Sequence, residues 1–397
     1  MNSIDVLSMG PGDLALTAPL ALQLLKEAEA VYCADRFALL VPEQKRRPFL
    51  PLSTALDDME KEASEGKKLA VLVSGDAGFY SLLTLLKRRF GGENLNVIPG
   101  ISSVSAFCAK LAVGWQDAKI ISAHGRPLKS AALCHEARTH SKTVLLLDAE
   151  NDPNRVRELL DQGDLKNVKL TVGENLSYGD ERIGLYEPRQ YADLSILLIE
   201  NPCPKGGLPP VGLSDDLFLR AKVPMTKREI RIQILSELRL TPDATVWDVG
   251  AGTGSVSVEC ARQCPYGTVY AIERDEDAME LICQNAARFH AANIVPVPGE
   301  APGALAGLPA PTHVFLGGTG GKTQEIVKLL EDFKTDIRLC ATAVTLETEE
   351  ELMRILGGLE DFQAAQIAVS RIEKLGNYHM RRANNPVTVF TANIKRR

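Results

Sequence analysis

The segment Asp248-Val249-Gly250-Ala251-Gly252-Thr253-Gly254 limits what this chain can fold into more than any other. It continues the apolar run ATVW and precedes VSVECARQC, whose apolar residues recur at helical spacing. A strand, a glycine turn and a helix in that order form the ligand-binding edge of an open, doubly wound α/β sheet. Glycines there let the backbone bend tightly and approach a ligand closely. Glu273 ends the next strand-like run, where a carboxylate can accept the hydroxyls of a ribose. The pairing predicts a cofactor that carries a nucleoside. A dinucleotide site has the spacing G-x-G-x-x-G, with the pyrophosphate on the helix N-terminus. Here the third glycine comes one residue early and Ser255 stands in its usual place. Asp248, two residues before the first glycine, would repel a pyrophosphate but suits the sulfonium and ammonium of S-adenosylmethionine. The reading favours the methyl donor over NAD.

Around this turn the second half alternates helices and strands. KREIRIQILSELRL is an amphipathic helix; NIVPVPGEAP, THVFLGGTGG, RLCATAVTL and PVTVFTANI supply later strands. Seven strands with a late terminal hairpin are expected. The run Gly317-Gly318-Thr319-Gly320-Gly321-Lys322-Thr323 mimics a P-loop, but Leu316 stands where that motif needs its first glycine. It reads instead as a flexible loop lining the cofactor and substrate cleft, with Gly317 and Gly318 toward the substrate.

The first half carries three other strand–turn–helix junctions: Gly10-Pro11-Gly12-Asp13, Ser74-Gly75-Asp76-Ala77-Gly78, and Pro99-Gly100-Ile101-Ser102-Ser103. Strand–helix alternation predicts α/β structure with much parallel sheet, and the three turns should share one sheet edge. Residues 201–216 hold prolines and glycines without periodicity, as a linker does. The expected organisation is domain 1–205, linker 206–213 and domain 214–397. The glycine turns of the two halves differ in kind, so the halves are not an internal repeat.

Bulk properties exclude several classes. With 45% hydrophobic and 24% charged residues the chain can bury proper cores. It has no apolar run of about 18 residues, the length of a membrane span. Its N-terminus, MNSIDVLSMGPGDL, lacks the basic region of a signal peptide. The net charge of −6 argues against a generic nucleic-acid binder. The eight cysteines include no CxxC pair; Cys260 and Cys264, four apart, read as reduced thiols and not as metal ligands. A cytoplasmic enzyme without metal, nucleic acid or membrane partner is expected.

Both halves resemble known families. PMTKREIR (224–231), WDVGAGTGSVSVE (247–259), AIERDEDA (271–278), GEAP (299–302), VFLGGTGG (314–321), ATAVTLET (341–348) and NPV (385–387) resemble the decarboxylating methyltransferases of cobalamin biosynthesis over about 215–393. That resemblance implies a seven-stranded Rossmann-like class I methyltransferase domain. Its implied cofactor contacts are Thr226, Gly250, Ala251, Gly252, Thr253, Gly254, Glu273, Glu300 and Ala301. GPGDLALT, SGDAGFYS, PGISSVSAFCAKLAVGWQDAKIISAHGR and ENLSYGDERI resemble the tetrapyrrole methylase family over about 4–202. That family has two α/β subdomains with the cofactor in the cleft between them. Gly75, Asp76, Ser102 and Ser103 are the implied cofactor contacts, with Gly10 and Gly12 shaping the cleft. Ala77 departs from the proline common there, which should alter loop stiffness.

Together the resemblances imply one S-adenosylmethionine per domain, a precorrin-type tetrapyrrole substrate and self-association into a homo-oligomer. The first domain would methylate carbon 5. The second would methylate carbon 15 and decarboxylate the ring C acetate. An anionic macrocycle calls for guanidinium and ammonium groups, since Arg grips a carboxylate by a two-point fork. Candidates are Arg126, Lys227, Arg228, Arg231, Arg381 and Arg382. His124, at a strand end, and His379 are the candidate catalytic groups, because imidazole moves protons near neutral pH. An RNA-modifying methyltransferase is the alternative within the same fold class, and the acidic charge speaks against it. A fusion in which one domain only docks is disfavoured by two intact glycine turns.

Overall fold

Strands that pack helices on both faces read as continuous apolar runs, not as alternation. In the computed structural model, which describes residues 3–396, LAVLV at 69–73 has all five residues buried. It is the centre of the first sheet. The strands of that sheet are β1 (Ile4–Ser8), β2 (Ala30–Tyr32), β3 (Arg46–Arg47), β4 (Leu69–Val73) and β5 (Leu95–Ile98). They run parallel in the order β3-β2-β4-β1-β5. The glycine turns leave the neighbouring strands β4, β1 and β5, so they do share one edge.

A second sheet contains β6 (Lys119–Ser122), β7 (Lys142–Leu146), β8 (Lys169–Glu174), β9 (Arg182–Leu185) and β10 (Ser195–Glu200), in the order β6-β7-β10-β8-β9. Only β6 and β7 pair in parallel; β10 runs against both β7 and β8. The short β8–β9 loop cannot make a parallel crossover and closes a hairpin instead. This half is therefore less parallel than the alternation suggests. Because β10 is reversed, its first residues lie at the edge where β7 and β8 end: Ile196 opposes Leu146 and Ser195 opposes Glu174.

The remaining strands are β11 (Thr245–Val249), β12 (Thr268–Glu273), β13 (Ile294–Pro298), β14 (His313–Leu316), β15 (Ile337–Ala343), β16 (Glu360–Ile367), β17 (Ser370–Leu375), β18 (Tyr378–Ala383) and β19 (Val387–Ile394). Seven of them form one sheet, β13-β12-β11-β14-β15-β19-β16, in which β11 to β15 run parallel and β19 returns antiparallel. Strand order reverses between β11 and β14, where ligands of open sheets bind. Trp247 of β11 is fully buried, edge-on to Phe333 at 5.6 Å. Truncating so large a core side chain costs about 3–5 kcal/mol. β17 and β18 pair only with each other, as an exposed ribbon.

The chain divides into two units. One holds Met1–Leu128, Glu136–Leu159 and Leu165–Lys205; the other holds Lys129–His135, Leu160–Asp164 and Gly206–Arg397. The segment read as a linker is not a free tether. Gly212 N–H and Leu213 N–H donate to the Glu259 carboxylate at 3.1 and 2.8 Å, and the Pro209 carbonyl accepts from Gln263 at 2.7 Å. Glu259 is buried, and a buried carboxylate needs such donors.

The same need corrects the reading of Arg231. Its side chain, on the helix Arg228–Leu238, has no exposed surface. The guanidinium donates to Asp215 at 2.9 Å, to Glu259 at 3.4 Å and to the carbonyls of Thr226 and Leu213. It is spent on holding the segment before the helix and has no donor face for a substrate.

Candidate functional site

In the second unit the carboxyl ends of β11, β12, β13, β14 and β15 surround a cavity of about 950 Å³. Its floor is the glycine turn. Gly250 and Ala251 N–H both donate to the Ile272 carbonyl at 3.0 Å, which folds the turn over β12. Gly250 has φ +74°, and a Cβ there would lie 2.4 Å from the Gly318 carbonyl oxygen. Only glycine lets these two turns cross. Gly254, with φ +72°, then opens the helix Ser255–Gln263. Buried Asn285 clamps the turn from behind, donating to the Thr253 carbonyl at 2.8 Å.

Glu273 lines the cavity and is held rigidly. Oε2 accepts from Gly252 N–H at 2.9 Å; Oε1 accepts from Arg274 and Asp275 N–H at 2.8 and 3.1 Å. A carboxylate has about four acceptor positions, so one stays open for a ribose hydroxyl. Thr253 Oγ1 is buried at the same wall and has no hydrogen-bond partner among the described residues. Asp275, Asp277 and Glu300 also line the cavity. Lys222, Lys227 and Arg274 line it as well, so the wall carries both signs of charge. Lys322, with Arg274, holds the Glu300 carboxyl below its ordinary range.

Asp248 plays no part in that field. It is fully buried beneath the turn, bonded to the Ser257 hydroxyl at 2.5 Å, and does not line the cavity. Burial pushes its carboxyl up to about 7. The sequence argument from Asp248 to the sulfonium therefore fails, and the cofactor reading rests on the glycine turn and Glu273.

In the first unit a cavity of about 580 Å³ lies between the ends of the two sheets. Gly10 and Gly75 exchange backbone hydrogen bonds at 3.2 and 2.8 Å, joining the turns after β1 and β4. Asp76 joins the turns after β4 and β5. One oxygen accepts from Gly78 N–H and the other from Gly100 N–H, both at 2.9 Å. A Cβ on Gly100 would lie 2.5 Å from Ser8 Cβ, so these turns too close only with glycine. Ser102 caps the helix Ser103–Lys110, accepting from Ser105 N–H at 3.1 Å. Across the cavity His124 Nδ1 lies 3.3 Å from the Leu147 carbonyl.

The sequence-predicted residues sort as follows. Thr226, Lys227, Gly250, Ala251, Gly252, Thr253, Glu273, Glu300, Ala301, Gly317 and Gly318 line the second cavity; Gly254, packed against Ile282 at the helix start, does not. Gly10, Gly75, Asp76, Ser102, Ser103 and His124 line the first. Gly12 does not line it; its missing side chain makes room for the ring of Tyr178, which does. Arg126 and Arg228 are exposed outside both linings. His379, Arg381 and Arg382 sit on β18, every residue of which is exposed, and none lines a cavity. These three are corrected from cleft to surface ribbon, and Arg382 pairs with Glu373 at 3.3 Å.

Other lining residues were not singled out as candidates. Lys222, Asn384 and Asn385 reach the second cavity, and Arg36, Tyr80, Ser122 and Ser195 the first. Ser122 could have been found, since it ends a strand at the ligand-binding edge. Asn385, within the NPV run, could have been found too; Ser195 could not, because it begins a reversed strand whose start lies at that edge only through the topology.

Two family models match the chain: "Tetrapyrrole (Corrin/Porphyrin) Methylases" over residues 4–186 and "Precorrin methyltransferase domain" over residues 216–394. A precorrin-6Y C(5,15)-methyltransferase (decarboxylating) from a Sinorhizobium species is 31% identical over 367 residues, spanning 88% of this chain and 86% of that protein. Its namesake from Mycobacterium tuberculosis (strain CDC 1551 / Oshkosh) is 30% identical, over 85% of this chain and 87% of that one. A probable cobalt-precorrin-6B C(15)-methyltransferase (decarboxylating) from Pyrobaculum calidifontis is 42% identical over 185 residues, covering 46% of this chain and 95% of that one.

Proposed function

Because this chain belongs to the precorrin-6Y C(5,15)-methyltransferase (decarboxylating) family, we propose that its two halves divide that reaction, each with its own S-adenosylmethionine. The chain is an S-adenosylmethionine-dependent methyltransferase of cobalamin biosynthesis. Residues 1–205 are assigned the methylation of carbon 5. Residues 214–397 are assigned the methylation of carbon 15 and the loss of carbon dioxide from the ring C acetate. The observation that carries this division is the pair of separate glycine-lined cavities, one in each unit at the carboxyl ends of its parallel strands. The half-length relative from Pyrobaculum, named for C(15) methylation with decarboxylation, supports the assignment of the second half.

The residues of the second cavity fit the cofactor. Gly252 presents backbone where a side chain would crowd Pro224, at a wall that the Glu273 carboxylate shares. When bound, the cofactor supplies an electrophilic methyl group on a sulfonium. The chain's own task is to orient a nucleophilic macrocycle carbon in line and to exclude water. Glu273 would hold the ribose edge, and Thr253 Oγ1 would donate to the cofactor. Lys222 and Lys227 would take substrate carboxylates. The macrocycle itself receives the electrons of the broken carbon–carboxyl bond, so no nucleophilic side chain is needed.

Self-association belongs to the same proposal. Ile372, Leu375, Tyr378 and Met380, each more than half exposed on the β17–β18 ribbon, support it, and sedimentation tests it. Among the described residues no helix is long and apolar enough to cross a membrane.

The test is incubation with precorrin-6Y and isotope-labelled methyl donor. The expected product has gained two methyl groups and lost one carbon dioxide. A product with methyls but its full set of carboxylates rejects the decarboxylating assignment.

A further inference from the structure

We infer that Arg36 is the carboxylate-gripping residue of the first unit's cavity and gives that cavity its preference for an anionic macrocycle. The inference rests on the proposed activity and adds a residue that no motif marks. Arg36 follows β2, on the segment Asp35–Leu40, and lines the cavity beside Phe37 and Phe49. It is the one lysine or arginine among the described lining residues. Asp76, the carboxylate of that lining, is already committed to two backbone N–H donors.

The guanidinium is available. Nη1 donates to Ser74 Oγ at 3.1 Å, and no other hydrogen bond of this side chain is seen among the described residues. Four of its five N–H donors therefore stay open, enough for a two-point grip on a carboxylate. The bond to Ser74 aims the fork at the turn after β4.

Position puts this grip at the rim of the glycine cradle, beside its nearest turn and far from its last. Glycine turns, where backbone can approach a ligand, leave β4, β1 and β5. The order β3-β2-β4-β1-β5 puts β2 next to β4 and three strand spacings from β5, where Ser102 and Ser103 stand. At the usual spacing that is about 14 Å. The β2 end carries no such turn; it offers a guanidinium and aromatic rings. Rings to face an apolar macrocycle and a fork to hold its carboxylate are a substrate's requirements. The cofactor also bears a carboxylate, on its methionyl arm, so the test must separate the two sources.

The full-length chain is assayed with precorrin-6Y and a carbon-13 methyl donor, so that the methyl at each carbon gives its own resonance. S-adenosylhomocysteine binding is measured in parallel by calorimetry. Arg36 is exposed, so its replacement leaves the core intact. For Arg36→Ala the expected result is a 10- to 100-fold rise in KM for carbon 5 methylation, the effect of losing one charge-assisted hydrogen-bond pair, roughly. kcat and S-adenosylhomocysteine affinity stay within about twofold, carbon 15 methylation is unaffected, and Arg36→Lys recovers most of the loss. An unchanged KM overturns the inference. So does a loss of S-adenosylhomocysteine affinity at unchanged KM, which would put the grip on the cofactor. A wild-type chain that forms no carbon 5 signal overturns the proposed activity, and this inference with it.

Discussion

Both cavities hold a glycine turn with a carboxylate, but from different places: from within a turn in one and from a strand end in the other. In the first unit one carboxylate, Asp76, bridges two turns by accepting from their backbone N–H groups, and the remaining lining is aliphatic, aromatic and hydroxyl side chains with the His124 imidazole and a single guanidinium. In the second unit the carboxylate at the strand end, Glu273, accepts from the glycine turn and from its own following residues, and the lining mixes carboxylates with Lys222, Lys227 and Arg274. One site is stapled across neighbouring strands of a single edge. The other is assembled at a reversal of strand order. Different backbone solutions can thus be offered to one cofactor, and a lesion in either should stay local.

The largest expected effect tests that locality. Arg231→Ala leaves Glu259 and Asp215 without their buried partner, which costs about 3–5 kcal/mol. Hydrogen exchange followed peptide by peptide should show faster opening across 206–397 and unchanged protection in β1, β4 and β5. Loss of protection in both units would break the comparison. Glu273→Ala comes next. It removes the acceptor of Gly252 N–H and the open site for a ribose hydroxyl, and should weaken one of two S-adenosylhomocysteine binding events by about a hundredfold. Calorimetry that finds a single event in the wild type, or loss of both in the variant, contradicts two independent sites. Asp76→Ala should do the converse, weakening the other event about tenfold while the second site keeps its affinity.

The smallest effect is a pH dependence confined to the second unit. The Asp248 carboxyl is raised by burial to about 7, so the native state holds a proton that the unfolded chain has released. Its contribution to stability is complete below the ordinary carboxylate range and is lost as pH rises through about 7. Urea midpoints should therefore fall between pH 5 and pH 8 in the wild type. In Asp248→Asn that fall should be smaller. Equal slopes in the two proteins would show that this carboxyl does not titrate in the window.

Much of the fold was legible because glycine turns are local. Gly250, Gly252 and Gly254 announce a strand end and a helix start without reference to any other part of the chain. The three turns of the first half do the same, which is why their shared edge could be read. The arginines were less legible. Arg231, Arg381 and Arg382 are alike in sequence as cations near a motif, yet one is fully buried and two lie on an exposed ribbon. A cation's role depends on which carboxylates the fold brings to it, and Asp215 and Glu259 reach Arg231 from separate elements. Asp248 misled for the same reason: spacing placed it beside the turn, but strand pleat turned it into the core.

The sequence by itself determined the glycine turns, the acidic strand end at Glu273, the α/β class and the family, since each rests on backbone conformation or residue identity at short range. Tertiary structure alone decided which ionisable groups face a ligand. The reversal of β10 and β19 brought Ser195, Asn384 and Asn385 to the working edges, and burial removed Asp248 and Arg231 from them. The physical reason is range: a turn is set by torsions within a few residues, whereas the exposure and pairing of a charge are set by whatever packs against it.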